Sequence, residues 1–380
     1  MNILMFDMGS YTFRDTKEAI CKLGHQVDEM YYFFNNRFED DFFSERINLQ
    51  LKRKQYDAIV SINFFPLLAK AANEHQTPYI SWSYDSPLAE QLTDYFNMDT
   101  NYIYLFDRAE VEQFNKRGYS NVYHLPLAIN AKRIENLNFS DDVNKKYKSE
   151  ISFIGKIYNS SLDDLLLCAD DYVKGFVEGI FQSQFRIYGY NFVESSIPDS
   201  IIDSLNDSYA KFGTTGIKLN KRGLAYAINA QITHVERTLL LESLAENHDV
   251  HLYTAENYSL DSNIKTHGPV KYFTDMNAVF KNSLLNLCPT LKSIASGIPL
   301  RSLDIMGAGG VLFSNFQEEL AEYFVDGEDV IMYESLEDAI SKADYYLNNK
   351  DLLKTIAANG NRKAIEYFSY DERVKTLLSI

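Results

Sequence analysis

The sequence has 380 residues, a formal net charge of −16 and three cysteines. Its length suggests two domains, and its acidic charge disfavours a general nucleic-acid or anionic-membrane surface. The cysteines are too few for a disulfide framework or a zinc cluster, and the start, MNILMFDMGS, lacks the basic residues of a signal peptide. Because no apolar run approaches the roughly 20 residues of a membrane span, we expect a cytoplasmic protein without a transmembrane segment or a nucleic-acid partner.

Strands and helices are predicted to alternate along the first part of the chain. The short apolar runs indicate strands at 2–6, 27–33, 58–62, 79–82 and 102–106, and the segments between them indicate helices at 12–23, 66–74 and 109–117. This alternation predicts a parallel sheet with helices on both faces. Ligands of such sheets bind beyond the carboxyl ends of the strands, so the residues that follow the strands are candidates for a site.

Aspartates follow three of these predicted strands. Asp107 begins a D-x-x-E pattern with Glu110, which is typical of a helix N-terminus and favours a structural role. Gly9 follows Asp7 two residues later, so Asp7 could either form a turn with Gly9 or belong to a functional site. The third aspartate, Asp85, differs from these two because aromatic residues precede it.

Asp85 lies in the segment SWSYDSP, after Trp82 and Tyr84. Trp82 is the only tryptophan of the chain, and an aromatic pair beside a carboxylate suits a sugar platform with a general base. The structural alternative is that Asp85 caps a helix after Pro87. Both interpretations stay open at this point.

The chain is predicted to leave the first sheet at 124–130 and to continue through a polar linker at 131–148. We therefore place the first domain at 1–130, the second at 149–360, and a terminal helical segment at 361–380. In the second domain, strands are expected at 151–154, 250–253, 311–313 and 330–333, and helices at 222–246, 317–324, 335–348 and 351–380, the last with a break near Gly360. The segment 162–207 is predicted to be largely helical, with a possible strand at 185–188.

The segment KSIASGIPLRSLDIMGAGGVLFSN, at 292–315, carries the strongest indication of a site. A turn at Ser296, Gly297 and Pro299 leads into a helix on which Arg301 and Asp304 share one face. A glycine turn before a helix N-terminus can bind an anion, because free N–H groups and the helix dipole converge there. An ordinary loop–helix–strand of an α/β domain is the structural alternative.

Further basic residues are candidates for the same phosphate pocket. Gly155 and Lys156 follow the strand at 151–154, Arg237 lies in the predicted helix at 222–246, and Lys292 precedes the glycine turn. Each could be a solvated or structural residue, but together they favour a phosphate pocket. The histidines are scattered and form no recognisable ligand pair, so no metal centre is expected.

The sequence resembles the spore-maturation CgeB-like glycosyltransferases over most of its length. In the first half the resemblance rests on SWSYDSP, YLFDR and HLPLA. In the second half it rests on SFIGKIYNS, ITHVERTLLLESL, HGPVKY and, above all, GIPLRSLDIMGAGGVLFSN followed by QEELAEYF and YESLEDA.

The resemblance implies an α/β fold of two Rossmann-like domains facing a cleft (GT-B), with a C-terminal helix that crosses back to the first domain. It implies a nucleotide-sugar donor, a UDP-sugar, in the second domain and a glycan or protein acceptor in the first. The implied activity is hexosyl or N-acetylhexosaminyl transfer in cell-envelope or protein glycosylation, with no cofactor beyond the donor.

The resemblance also implies roles for individual residues. Arg301 and the Gly297 turn would bind the diphosphate, Asp304 the ribose or the donor sugar, and Arg237 would lie near the phosphates. The implied donor set is completed by Gly155, Lys156, His267, Gly268, Val270, Tyr272, Lys292 and Ser296. From the residues themselves, Asp85 is the predicted base with Asp7 as the second candidate, and Trp82 and Tyr84 are predicted to contact the acceptor.

Two departures from the family pattern matter. Many retaining enzymes of this fold carry two glutamates eight residues apart, whereas here Ser296 and Asp304 hold those positions. Retention or inversion therefore stays open. Lys292 stands where arginine is more usual. A lysine keeps the positive charge but cannot form the two parallel hydrogen bonds of a guanidinium. The alternatives to a transferase are a nucleotide-sugar epimerase of the same fold and a non-catalytic glycan-binding or coat-assembly protein.

Overall fold

The computed structural model describes residues 1–213, 218–257 and 263–380, which form two compact units. The first unit contains Met1–Asn130, Gly297–Leu300 and Phe368–Ile380, and the second contains Ala131–Ser296 and Arg301–Tyr367. Each unit is built around one six-stranded parallel sheet. The predicted α/β class, with two parallel sheets and helices, is thereby confirmed.

The first unit alternates strands and helices along residues 1–130. Its elements are β1 (Asn2–Asp7), α1 (Phe13–Lys22), β2 (Gln26–Tyr31), α2 (Asp41–Arg53), β3 (Ala58–Ile62), α3 (Pro66–Glu74), β4 (Tyr79–Ser83), a 3-10 helix (Glu90–Tyr95), β5 (Asn101–Leu105), α4 (Arg108–Lys116) and β6 (Val122–His124).

The strands of the first sheet lie in the order β2-β1-β3-β4-β5-β6. β3 and β4 are buried along their whole length, as central strands covered on both faces should be. All pairs are parallel, so the carboxyl ends of the strands meet at one edge of the sheet.

Two features of this unit differ from the sequence analysis. The chain does not leave the sheet at His124, because His124 pairs with Leu105 and the Leu125 N–H still donates to the Leu105 carbonyl at 2.8 Å. Helix α2 was not predicted, although Phe43, Ile47 and Leu51 follow one another at helical spacing and are buried.

The second unit begins with short helices and contains a long helical region between its first two strands. Its elements are α5 (Ala131–Glu135), α6 (Asp141–Lys146), β7 (Ser149–Ile154), α7 (Leu162–Leu166), α8 (Asp171–Phe185), α9 (Val193–Ser196), α10 (Asp199–Lys211), α11 (Lys221–Ala245), β8 (Val250–Tyr253), β9 (Lys265–His267), α12 (Asp275–Asn282), β10 (Ser283–Cys288), α13 (Leu300–Gly307), β11 (Leu312–Asn315), α14 (Glu318–Tyr323), β12 (Ile331–Tyr333), α15 (Leu336–Leu347) and α16 (Lys350–Tyr367). The last helix of the chain, α17 (Tyr370–Leu377), belongs to the first unit.

The second sheet has the order β12-β11-β10-β7-β8-β9, and all its pairs are parallel. One apolar core lies against this sheet and includes residues of α15 and α16. Helices α7 to α10 form another core against the first half of α11. The possible strand at 185–188 was wrong, because Phe185 ends α8 and the following residues form no strand.

Helix α16 runs through Gly360 without the predicted break. Gly360 is buried, and a β-carbon there would overlap the backbone carbonyl oxygen of Asp329. The glycine is therefore needed for a close approach of two backbone segments, and the actual break falls at Phe368 and Ser369.

Helix α17 packs on α1 in the first unit. Lys22 of α1 forms an ion pair with Asp371, and the ring of Tyr370 lies edge-on to Trp82 with centroids 5.9 Å apart. The Ile129 N–H also donates to the Phe368 carbonyl at 2.8 Å. These contacts join the last residues of the chain to the first sheet. In the part of the chain that the structure describes, no helix is both long and apolar enough to cross a membrane.

Candidate active site

Asp7 shapes the loop that follows β1 in the first unit. One of its carboxylate oxygens accepts hydrogen bonds from the N–H groups of Gly9 at 2.8 Å and of Ser10 at 3.0 Å. Gly9 has φ +89°, a conformation that glycine adopts without strain. The turn interpretation of Asp7 is therefore confirmed, while its candidacy as a base stays a prediction.

Asp85 lies after β4 and is held by Asn63, the first residue after β3. The Asn63 side-chain amide donates to the Asp85 carboxylate at 2.7 Å, and its side-chain oxygen accepts from the Tyr84 N–H at 3.1 Å. Asn63 has φ +66°, a conformation that Asn adopts more readily than most residues. Asn63 was not a predicted site residue, although an asparagine directly after a buried strand was a usable signal.

Asp85 does not cap a helix. The next helical residues are the 3-10 helix at Glu90–Tyr95, whose N-cap is Ala89. The structural alternative given for Asp85 is therefore wrong, and its carboxylate is exposed at the edge of the sheet. Burial, together with the nearby charges of Asp85 and Asp7, raises the pKa of Tyr84 to about 12. Tyr84 therefore stays protonated at neutral pH and can donate a hydrogen bond beside these carboxylates.

Trp82 lies within the core rather than at the surface. It is 2% exposed, and its indole N–H donates to the Leu125 carbonyl at 3.2 Å. A buried ring cannot offer its face to an acceptor sugar, so the structure does not support the sugar-platform role of Trp82. Tyr84, which is partly buried, keeps its predicted acceptor role.

Asp107 is a buried helix cap, as predicted, and accepts from the Ala109 N–H at 3.2 Å. Glu110 instead accepts from the Ser86 hydroxyl at 2.8 Å and from the Leu88 N–H at 2.7 Å. Gly297 lies against the same cap, since a β-carbon there would stand 2.8 Å from the Asp107 Cα. A glycine is therefore required at this position of the turn.

In the second unit, Arg301, Asp304 and Tyr272 come together. An Arg301 guanidinium nitrogen lies 3.7 Å from the Asp304 carboxylate and also contacts the Met276 sulfur. Asp304 is buried and accepts from the Tyr272 hydroxyl at 2.9 Å. The Arg301 side chain is 32% exposed, so it can still bind an anion. This cluster combines a cation with a carboxylate that can accept a hydroxyl hydrogen bond.

Ser296 precedes the glycine turn and is buried. Its hydroxyl donates to the Glu319 carboxylate at 2.8 Å, and its carbonyl accepts from the Glu319 N–H at 3.1 Å. Glu319 was not a predicted site residue, and its separation from Ser296 in sequence gave no signal. These contacts fix the end of the turn to helix α14.

Arg237 is buried and holds two loops in place. Its guanidinium donates to the carbonyls of Pro289 and Lys156, and it lies over the rings of Phe153 and Tyr158 at 5.2 and 5.1 Å. Burial lowers the pKa of the Arg237 guanidinium. Its donors are thus directed at backbone carbonyls, which suits a positioning role, and its predicted place near the phosphates stays a prediction.

Lys292 is also buried, and its ammonium group lies 3.0 Å from the Glu236 carboxylate. The same nitrogen stands 3.7 Å from the centroid of the Tyr188 ring, and the Tyr333 hydroxyl donates to Glu236 at 3.3 Å. Burial and, after it, the negative charge of Glu236 raise the pKa of Tyr188. Lys292 therefore belongs to a buried ionic cluster in this structure.

The remaining predicted donor residues lie in loops at the strand ends of the second sheet or in β9. Gly155 donates to the Tyr253 carbonyl at 3.1 Å, and Lys156 is exposed. His267 stacks on Tyr253 with centroids 4.7 Å apart and lies 3.2 Å from a nitrogen of His251. The remaining two are Gly268, which is exposed, and Val270, which is half-buried.

Across residues 1–213, 218–257 and 263–380, no group of three or more His, Cys, Asp or Glu side chains is arranged to hold a metal ion.

A family model described as glycosyl transferase-like matches residues 237–379. The matched segment contains Arg301, Asp304 and Tyr272. No match was found among curated proteins.

Several solved structures share the fold of this chain. Sucrose-phosphate synthase from Thermosynechococcus elongatus has a TM-score of 0.57 at 11% identity, over 99% of this chain and 97% of its own. A glycosyltransferase from Rickettsia africae has a TM-score of 0.55 at 12% identity, over 99% and 96%. The Anabaena HepE protein in complex with UDP and glucose has a TM-score of 0.54 at 10% identity, over 99% and 98%. The whole chain is thus similar in fold to GT-B glycosyltransferases, and its residues 237–379 are similar in sequence to the glycosyl transferase-like family.

Proposed function

We propose that this protein is a glycosyltransferase that moves a sugar from a UDP-sugar to a glycan or protein acceptor without a metal ion, as a member of the CgeB-like group. The observation that carries the proposal is the cluster of Arg301, Asp304 and Tyr272 within the segment that matches a glycosyl transferase-like family. The complexes of Anabaena HepE with UDP and with UDP-glucose support UDP as the nucleotide.

In the proposed donor site, Arg301 binds the diphosphate and Asp304 accepts a hydroxyl hydrogen bond from the ribose or the donor sugar. A partly exposed guanidinium can stabilise the negative charge that develops on the departing UDP. The N–H groups of the Gly297 turn would add to this stabilisation. Arg237 and Lys292 act indirectly: Arg237 holds the loops that contain Pro289 and Lys156, and Lys292 pairs with Glu236 on α11.

In the proposed acceptor site, Asp85 is the general base. The acceptor hydroxyl oxygen forms a bond to the anomeric carbon, the bond from that carbon to the phosphate oxygen breaks, and UDP leaves with the electron pair. The hydroxyl proton passes to the Asp85 carboxylate. Asn63 holds that carboxylate at 2.7 Å and therefore orients it for this transfer. A base of this kind would make the reaction inverting.

Arg301→Ala tests the donor site. The substitution should weaken UDP binding by about 1.5–3 kcal/mol, the scale of a charged hydrogen bond, and should leave the fold intact. Arg362→Ala is a suitable control, because Arg362 is exposed on α16 and pairs only loosely with Glu366 at 3.7 Å. Calorimetry with UDP measures both variants. An unchanged UDP affinity in Arg301→Ala would place the phosphates elsewhere.

Product analysis separates transfer from the alternative activities. A transferase releases UDP and couples the sugar to an acceptor, whereas an epimerase changes the sugar and keeps the nucleotide attached. A non-catalytic glycan-binding protein would do neither.

A further inference from the structure

Two aromatic rings stand exposed at the end of β2 in the first unit. Tyr31 is 53% exposed and Phe33 is 58% exposed, and their rings meet edge to face with centroids 5.1 Å apart. Large aromatic side chains bury about 150–250 Å² each when they are covered. An exposed pair therefore offers a large apolar area for a ligand to cover.

This pair lies beside the loop that Asp7 organises. Tyr31 is the parallel register partner of Asp7, which places the two residues next to each other at the carboxyl ends of β2 and β1. A β-carbon at Gly9 would stand 3.5 Å from the tip of the Phe33 ring and 4.0 Å from the Tyr31 hydroxyl oxygen. The aromatic pair and the proposed acceptor site therefore share one surface.

The strand order arranges these groups in a row. Across β2, β1, β3 and β4 the strand ends carry in turn the aromatic pair, Asp7, Asn63 and Asp85. With neighbouring strands about 4.8 Å apart, the row spans about 14 Å. A single monosaccharide held at Asp85 cannot also reach the aromatic pair, whereas an oligosaccharide can.

The chemistry of the row indicates what would bind along it. Aromatic faces pack against the apolar C–H faces of sugar rings, carboxylate oxygens accept hydrogen bonds from hydroxyls, and side-chain amides both donate to and accept from them. Two carboxylates in the same row disfavour a phosphorylated or otherwise anionic chain. A neutral glycan fits this combination.

We propose that Tyr31 and Phe33 form a distal acceptor subsite, which binds a sugar unit of a neutral oligosaccharide whose reactive end lies at Asp85. This inference rests on the proposed transferase function. It makes the acceptor an existing glycan chain, not a free monosaccharide.

The test measures the affinity of neutral sugars as a function of length in the presence of UDP. The probes are the mono-, di- and trisaccharides of the cello-, malto- and chito-oligosaccharide series, titrated by NMR or calorimetry. The variants are Tyr31→Ala/Phe33→Ala, Tyr31→Phe, which keeps the ring, and Tyr172→Ala, which removes a 73% exposed ring from the second unit.

In the wild type, at least one series should bind about tenfold more tightly as the trisaccharide than as the monosaccharide. The double alanine variant should bind that trisaccharide only as tightly as the monosaccharide, with unchanged UDP affinity and melting temperature. The Tyr31→Phe and Tyr172→Ala variants should still bind the trisaccharide about tenfold more tightly than the monosaccharide.

The proposal is overturned if no series gains affinity with length in the wild type, or if the double alanine variant keeps the gain. A wild-type protein that binds no UDP would instead contradict the proposed transferase function. Because sugar binding and UDP binding are measured separately, the two failures are distinguishable.

Discussion

Replacing Lys292 by methionine should destabilise the second unit strongly. The side chains of Lys292 and Glu236 are 6% and 1% exposed, so Lys292→Met leaves a carboxylate that is buried without its cation. At 3.0 Å the Coulomb attraction of the pair is about 5.5 kcal/mol for an effective dielectric constant of about 20. The cost of desolvating both ions offsets much of this attraction, but removing one partner typically costs about 3–5 kcal/mol.

The assay is a double-mutant cycle followed by scanning calorimetry. A loss of this size should lower the melting temperature of the unit by roughly 6–20 °C, at about 2–4 °C per kcal/mol. Adding Glu236→Gln removes the uncompensated charge and should restore at least half of the loss. Lys354→Met is the control, because the ion pair of Lys354 with Asp351 is exposed and should contribute less than about 1 kcal/mol.

Two results would refute this reasoning. One is a Lys292→Met variant that melts within about 1 kcal/mol of the wild type and binds UDP more weakly, which would make Lys292 a donor ligand. The other is a double variant whose loss of stability equals or exceeds the sum of the losses in the two single variants.

Four further predictions concern catalysis, metal dependence, pH and packing. Asp85→Asn should lower turnover by about 10²–10⁴ while UDP affinity and melting temperature stay unchanged, and turnover near the wild-type rate would exclude Asp85 as the base. Transfer should continue in excess EDTA, and activity lost to EDTA and restored by manganese would contradict a metal-independent reaction. Burial lowers the pKa of both His251 and His267, so below pH about 6.5 the unfolded chain binds more protons than the folded one. The melting temperature should therefore fall from pH 7 to pH 5, and less steeply in a His251→Gln/His267→Gln variant. Gly360→Ala should destabilise the protein by about 1–3 kcal/mol through overpacking, whereas Gly175→Ala, in open space on α8, should stabilise it by about 0.5–1 kcal/mol; equal effects of the two changes would contradict the packing argument.

Much of the fold could be predicted because its signals are local. β3 is a five-residue apolar run, and α3 begins with Pro66 at a position that suits proline. β6 was missed because it has three residues and one of them, Tyr123, is exposed. Gly360 suggested a helix break because its actual requirement, the approach of Asp329, comes from a segment distant in the sequence.

The candidate site was predictable only in part. A parallel sheet brings residues after its strands to one edge, which is why Asp7 and Asp85 could be named from the sequence. Trp82 lies within the strand predicted at 79–82, so its burial could have been expected from helices on both faces of the sheet. The burial of Lys292 could not be expected in this way, because its carboxylate partner lies on α11, which is distant in the sequence.

The first unit is assembled from three separate stretches of chain, and this sets an order on its folding. Residues 368–380 are synthesised after the whole of the second unit, so a growing polypeptide on the ribosome carries the first sheet before the helix that packs on α1 exists. Until then the surface of α1 on which α17 packs is uncovered, and the contacts that complete the unit have the long sequence separation that slows folding. Trp82 is the single tryptophan and lies against Tyr370 of α17. Its fluorescence should therefore change when α17 packs on the first unit.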